Sequence, residues 1–154
     1  YILESAARTG GISAALDILK EYYGAMLNAG ATTFWEDFDI EWARENARID
    51  RLPENGEYDI HGDNGRYCYK GFRHSLCHGW SSAPAAFLAE NVLGIHIVEA
   101  GCRIIEIKPQ LGSLKWVKGT YPTPLGVISV FAERLPDGTV KTDIAAPDTI
   151  KIIK

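Results

Sequence analysis

The run Gly30-Ala-Thr-Thr-Phe-Trp-Glu36 sets a carboxylate directly after an indole and two residues after a phenyl ring. Those residue types suit proton transfer at a sugar. A flat apolar face accepts the C–H side of a pyranose, and a carboxylate held beside it can act as a general acid or base. The same residues also fit a structural pattern. Thr33-x-x-Glu36 matches the Ser/Thr-x-x-Glu capping box of a helix starting near residue 34, and on spacing alone this reading competes with catalysis.

A second group, Cys68, His74, Cys77 and His78, gathers four ligand-type side chains within eleven residues. Its spacing matches no common zinc knuckle, and adjacent Cys77 and His78 would point apart, so no metal is expected there. Cys77 reads instead as a small buried hydrophobe, and the same adjacency argues against a thiol nucleophile paired with a histidine. His78, followed by Gly79 and Trp80, has the chemistry to hydrogen-bond a sugar hydroxyl or a carboxylate, with a structural histidine as its alternative. Asp59, His61, Asp63 and Asn64 lack the spacing and terminal glutamate of a calcium loop and read as a turn. Trp116, Tyr121 and Phe131 fall on β-type segments and are expected in a core or an interdomain contact.

The elements that must position these residues fall into two halves. Ile12, Ala15, Leu16, Leu19, Tyr23, Met26 and Leu27 form a helical stripe, stopped by Asn28-Ala29-Gly30. Residues 1–8 read as the tail of a preceding helix and Thr9-Gly10-Gly11 as the turn between them, a helical hairpin. Ile40, Trp42, Ala43, Ala47 and Ile49 suggest a short helix, after which Pro53, Gly56, Gly62, Asp63-Asn64-Gly65 and Gly71 break the chain into a long loop. A third helix is expected from Ser81 or Ser82 as N-cap, with Pro84 in the first turn and Phe87, Leu88 and Val92 apolar, ending at Gly94.

Beyond Gly94 the spacing predicts strands at 103–108, 114–120, 126–133, 139–145 and 149–154, with Leu135-Pro136-Asp137-Gly138 as a hairpin turn. Helices followed by strands without alternation give an α+β class and exclude a doubly wound sheet. The strand spacing fits an antiparallel sandwich or barrel fragment.

The 154 residues suffice for one ordinary domain or two small layers, and 46% hydrophobic with 23% charged residues is a globular composition. No apolar run approaches the roughly 20 residues of a membrane span. A net charge of −4 without a basic cluster argues against nucleic acid and anionic membranes, and favours a neutral ligand. Three cysteines in no dense pattern argue against a disulfide framework and leave the compartment open. The chain opens at Tyr1 in a helical pattern, which is the expectation for a piece of a longer protein.

Three motifs in order, Gly30-Ala-Thr-Thr-Phe-Trp-Glu36, Ser75-Leu-Cys-His-Gly-Trp80 and Gly112-Ser-Leu-Lys-Trp-Val-Lys-Gly-Thr-Tyr-Pro-Thr-Pro-Leu-Gly126, resemble the C-terminal part of bacterial α-L-rhamnosidases of glycoside hydrolase family 78. The resemblance implies the last helices of an (α/α)6 catalytic barrel over residues 1–96 and a C-terminal β-sandwich over 97–154. It implies inverting hydrolysis, in which one carboxylic acid protonates the leaving oxygen and a carboxylate activates water on the opposite face. By motif, Glu36 corresponds to the general base, Trp35 to the residue flanking it and His78 to a histidine of the sugar pocket; Trp35, His78 and Trp80 are the expected substrate-binding residues. The general acid is implied in an upstream catalytic domain. No cofactor is implied, and the partner is a rhamnose-containing glycoside. Rhamnose, neutral and carrying a methyl group, wants aromatic contact, for which Trp35, Trp80, Tyr67, Tyr69 and Phe72 are candidates. Barrel surface exposed in such a piece would favour its dimerisation. The competing expectation is a non-catalytic carbohydrate-binding or structural module centred on the strands.

Overall fold

A computed structural model describes residues 1–59 and 75–154. Helical segments precede strands throughout, so the class is α+β. Helix α1 spans Ile2–Ile18 and is interrupted only at Gly11, whose φ of 78° and ψ of 171° leave the helical region. The expected three-residue turn thus shrinks to one residue. A π turn, Leu19–Tyr23, leads into α2, Gly24–Asn28. Ala15, Leu16 and Met26 of the expected stripe are buried, whereas Leu27 is exposed. A π turn accommodates an extra residue and rotates everything beyond it, so a stripe counted at 3.6 residues per turn drifts off the core.

The stop at Gly30 is realised in full. Gly30 has a φ of 90°, its N–H donates to Leu27 O at 3.0 Å, and the Ala31 N–H donates to Met26 O at 2.9 Å. These two bonds satisfy the last carbonyls of α2 in a Schellman closure. Met26, Ala29 and Ala31 are then buried with Trp35 and Phe38 in one cluster. The Arg48 guanidinium adds a further cap, donating to Asn28 O at 2.7 Å while it also pairs with Asp50.

The short helix expected over 40–49 is a 3-10 turn, Ile40–Arg44, followed by a bridge between Asn46 and Tyr58. The turn signals at Gly62, Asp63-Asn64-Gly65 and Gly71 lie outside the described residues. A 3-10 turn, Gly79–Ser81, precedes α3, Ala83–Phe87, and a π turn, Leu88–Val92, follows it. The Ser82 hydroxyl donates to Gly79 O at 2.7 Å. Phe87 and Val92 are buried as expected, but Leu88 opens the π turn and is exposed.

Six strands follow: β1 Ile95–Ile97, β2 Ile104–Ile107, β3 Trp116–Thr123, β4 Gly126–Arg134, β5 Val140–Ala145 and β6 Lys151–Ile153. All five expected strands are present, and β1 is additional. It crosses the expected boundary at residues 96/97, pairing Ile95 with Ile107 and Ile97 with Ile105. Strands β3, β4 and β5 form an antiparallel meander, with Leu135-Pro136-Asp137-Gly138 as the β4–β5 turn. In that turn Gly138 adopts a φ of 87° and its N–H donates to Leu135 O at 2.9 Å. The other sheet has the order β1-β2-β6, and β2 and β6 run parallel, correcting the wholly antiparallel expectation. Ile95, Ile105 and Ile107 from one sheet and Ile128 and Val130 from the other belong to a single buried cluster.

The chain divides into two compact units, one of Tyr1–Leu16 with Ala85–Lys154 and one of Asp17–Pro84. Compactness therefore groups the opening helical residues with the strands. Among the described residues no helix is long and apolar enough to cross a membrane.

Candidate active site

The site lies within the Asp17–Pro84 unit and is built where two irregular segments run side by side. The Glu36 N–H donates to Ser75 O and the His78 N–H donates to Phe34 O, each at 2.8 Å. The Thr33 hydroxyl donates to Leu76 O. Residues 33–36 are thereby laid against residues 75–78, and Glu36 and His78 arrive on the same patch although 41 positions separate them in sequence.

No helix begins at residue 34, so the capping-box reading is corrected. Thr33 has the right side chain for an N-cap, but its hydroxyl bonds across to Leu76 instead of to its own backbone. Glu36 therefore does not lie in the first turn of a helix.

The carboxylate is held from two sides. Oε2 accepts from the Ser75 N–H at 3.1 Å, and Oε1 lies 3.7 Å from His78 Nε2. His78 Nδ1 accepts from the Trp80 N–H at 3.3 Å. Since a neutral imidazole has one donor and one acceptor nitrogen, this bond assigns the proton to Nε2, the nitrogen that faces Glu36. The Ser81 hydroxyl donates to Glu36 O at 3.4 Å and the Tyr23 hydroxyl to Ser81 O at 3.1 Å, tying the backbone of the site to the π turn. Burial raises the Tyr23 phenol above its ordinary range, which keeps that donor protonated. The Glu36 and His78 side chains are 20% and 26% exposed, open enough for a ligand yet shielded from bulk water.

The aromatic residues divide by role. Trp35 is fully buried, packed edge-on to Phe38 with ring centroids 5.6 Å apart. The expectation that its indole offers a face to a sugar is corrected, because the indole fills the core of this unit. Trp80 is 87% exposed and meets the His78 ring edge-on at 5.4 Å. Phe34 stands against Tyr23 at 6.0 Å. The structure thus brings together Glu36, His78 and Trp80 on the accessible side, with Trp35 beneath.

Cys77 is exposed, not buried as expected, because its segment runs along the surface with its N–H and carbonyl both bonded to the Ser75 hydroxyl. Cys68 and His74 lie outside the described residues, as do His61, Asp63, Asn64, Tyr67, Tyr69 and Phe72. Among the described residues no group of three or more His, Cys, Asp or Glu could hold a metal. Trp116 was expected in a core or contact and is 60% exposed, while Tyr121 packs against the strand cluster as expected.

The sequence marked Ser81 as a candidate helix cap and Ser75 as the start of a motif, but gave neither of these two serines a role beside Glu36, to which both bond. Ser75 opens the motif Ser75-Leu-Cys-His-Gly-Trp80, so its presence was visible, but its function is carried by a backbone N–H that residue type does not reveal.

No family model and no curated protein sequence matches the chain. Solved structures do. A family 78 rhamnosidase of Bacillus sp. GL1 is 31% identical, with a TM-score of 0.69, over 97% of this chain and 14% of that one. The α-L-rhamnosidase from Dictyoglumus thermophilum shares the fold at 20% identity, with a TM-score of 0.67, over 99% of this chain and 15% of its own. The match covers nearly all of the 154 residues. Within the longer architecture of which it spans a small fraction, the chain belongs to glycoside hydrolase family 78.

Proposed function

We propose that this chain supplies the general base of an inverting α-L-rhamnosidase, with Glu36 as the base. The observation that carries this reading is the half-shielded Glu36 carboxylate, tethered through one oxygen to the Ser75 N–H and facing His78 through the other. A tethered carboxylate keeps its orientation without needing a helix cap. Glu36 would take a proton from water as that water attacks the anomeric carbon, and His78 Nε2–H would donate to a sugar hydroxyl or to the carboxylate itself. Trp80 would meet the apolar side of the sugar, and buried Trp35 would fix the backbone from which Glu36 projects.

In this reading residues 1–96 are the end of an (α/α)6 barrel and 97–154 a C-terminal β-sandwich. The general acid comes from another part of the longer hydrolase. The two carboxyl groups would stand roughly 6.5–9.5 Å apart, leaving room for the water.

In a full-length hydrolase carrying this segment, Glu36→Gln is expected to lower kcat about 10²–10⁴-fold with KM little changed. Unchanged turnover of an aryl α-L-rhamnoside would remove Glu36 from the chemistry. The 154-residue chain alone is expected to release no aglycone from the same substrate, since a base without its acid lacks the concerted protonation. Steady release by the purified chain would show that the acid is present in it.

A further inference from the structure

The outward face of the β3-β4-β5 sheet has a composition that neither a core nor the candidate active site accounts for. Its inward residues, Ile128 and Val130 among them, pack into the buried cluster. Alternation then sends the intervening residues outward in three cross-strand rows. The register sets Trp116 beside Glu133 and Lys141, Lys118 beside Phe131 and Asp143, and Thr120 beside Ser129 and Ala145. Trp116 is 60% exposed, and its indole lies 6.4 Å from the Phe131 ring at an interplanar angle of 38°. The two rings make a shallow, angled platform.

The surroundings of the platform select its occupant. Lys141 Nζ lies 3.8 Å from Glu133 and 3.3 Å from Asp143, and with Lys118 the four charges cancel. Burying this face under a protein partner would strip water from four charged side chains, and such residues are depleted from interface cores for that reason. A single sugar ring covers only the aromatic platform. It leaves the charges hydrated, and its hydroxyls can exchange hydrogen bonds with carboxylates, ammonium groups and the Thr120 and Ser129 hydroxyls at the rim. A net-neutral rim also gives no preference for a charged ligand.

We propose that this sheet face is a second carbohydrate-binding surface, on which a neutral pyranose ring stacks against Trp116 with Phe131 flanking it. It belongs to the other compact unit and is independent of the role of Glu36. A single stacked ring with exchangeable polar contacts binds weakly, with a Kd on the order of millimolar.

The test follows the Trp116 indole N–H resonance of the 154-residue chain, assigned by its absence in Trp116→Phe, during titration with methyl α-L-rhamnopyranoside and, separately, methyl β-D-glucopyranoside. A saturable shift with at least one of them is expected, with Glu36→Gln leaving it unchanged. Phe131→Leu, which keeps apolar volume but removes the second ring, is expected to weaken binding several-fold. Calorimetry on Trp116→Ala is expected to show about a tenfold or greater loss. No shift with either sugar up to about a hundred times that Kd overturns the proposal. Undiminished binding in Trp116→Ala overturns it too. So does an indole shift that follows protein concentration in the absence of sugar, which would make the face a contact between copies of the chain.

Discussion

Residues 33–36 and 75–78 are held together by a few single hydrogen bonds between irregular segments, whereas β3, β4 and β5 are held by continuous antiparallel ladders. In the ladders each bond is backed by its neighbours, and the inward face of β4 is buried. At the site each bond orients one group: the Ser75 N–H orients Glu36, the Trp80 N–H orients His78 and the Thr33 hydroxyl fixes the Leu76 carbonyl. The difference teaches that the strand region spends its bonds on stability and the site spends them on direction.

If that contrast is right, the site should depend on the one large side chain beneath it. Trp35→Ala removes the largest fully buried side chain among the described residues of the Asp17–Pro84 unit and is expected to cost about 3–5 kcal/mol, read by chemical denaturation. Loss of less than about 1 kcal/mol would mean that the segment is held by its hydrogen bonds alone. The strand region should be most sensitive at a backbone contact. At Gly94, with a φ of 70°, a Cβ would lie 2.0 Å from Lys108 O beside the β1–β2 pairing. Gly94→Ala is expected to cost about 2–4 kcal/mol, through clash and left-handed strain together. An alanine tolerated there at no measurable cost would show that this strand pair is as adaptable as the loops.

The smallest effect is expected in acid. Hydrogen bonds from Arg51 and the Glu54 N–H pull the Glu57 carboxyl down to about 2. A depressed carboxylate adds stability at pH values above the unfolded-state range, and that contribution fades as pH falls from near 4.5 toward 2. Both groups reach solvent, so salt should blunt the effect. Glu57→Gln should flatten the acid limb of a stability profile slightly. An unchanged profile would assign acid sensitivity to other groups.

Much of the fold was legible because its signals are local. The Gly30 stop, the Pro136-Asp137-Gly138 turn and the alternation in β4 each act within a few residues. What escaped was non-local. β1 is three residues long and acquires its identity only by pairing with β2, and β6 lies parallel to a strand far earlier in the chain. Thr33-x-x-Glu36 misled for the same reason: a capping box and a cross-chain tether use the same residue types, and the position of Leu76 decides between them. The approach of His78 to Glu36 was reached through motif resemblance, since no periodicity links residues so far apart. Sequence spacing alone left open which face of its strand Trp116 occupies, because a strand's two faces have the same spacing, and only the packed sheet says which is inward.

The parallel pairing of β2 with β6 also sets an order of events during synthesis. Roughly forty residues, including the whole β3-β4-β5 meander, separate the two strands, and closing so long a loop must wait for its far end. The meander can form from neighbours as soon as it leaves the ribosome, while β2 has only the short strand β1 beside it until Lys151–Ile153 emerge. Until then one edge of β2, with the fully buried Ile105 at its centre, is an unsaturated strand edge open to wrong pairings. Strand β6 therefore acts as a latch, and substitutions that break its pairing should show first as poor recovery of folded protein.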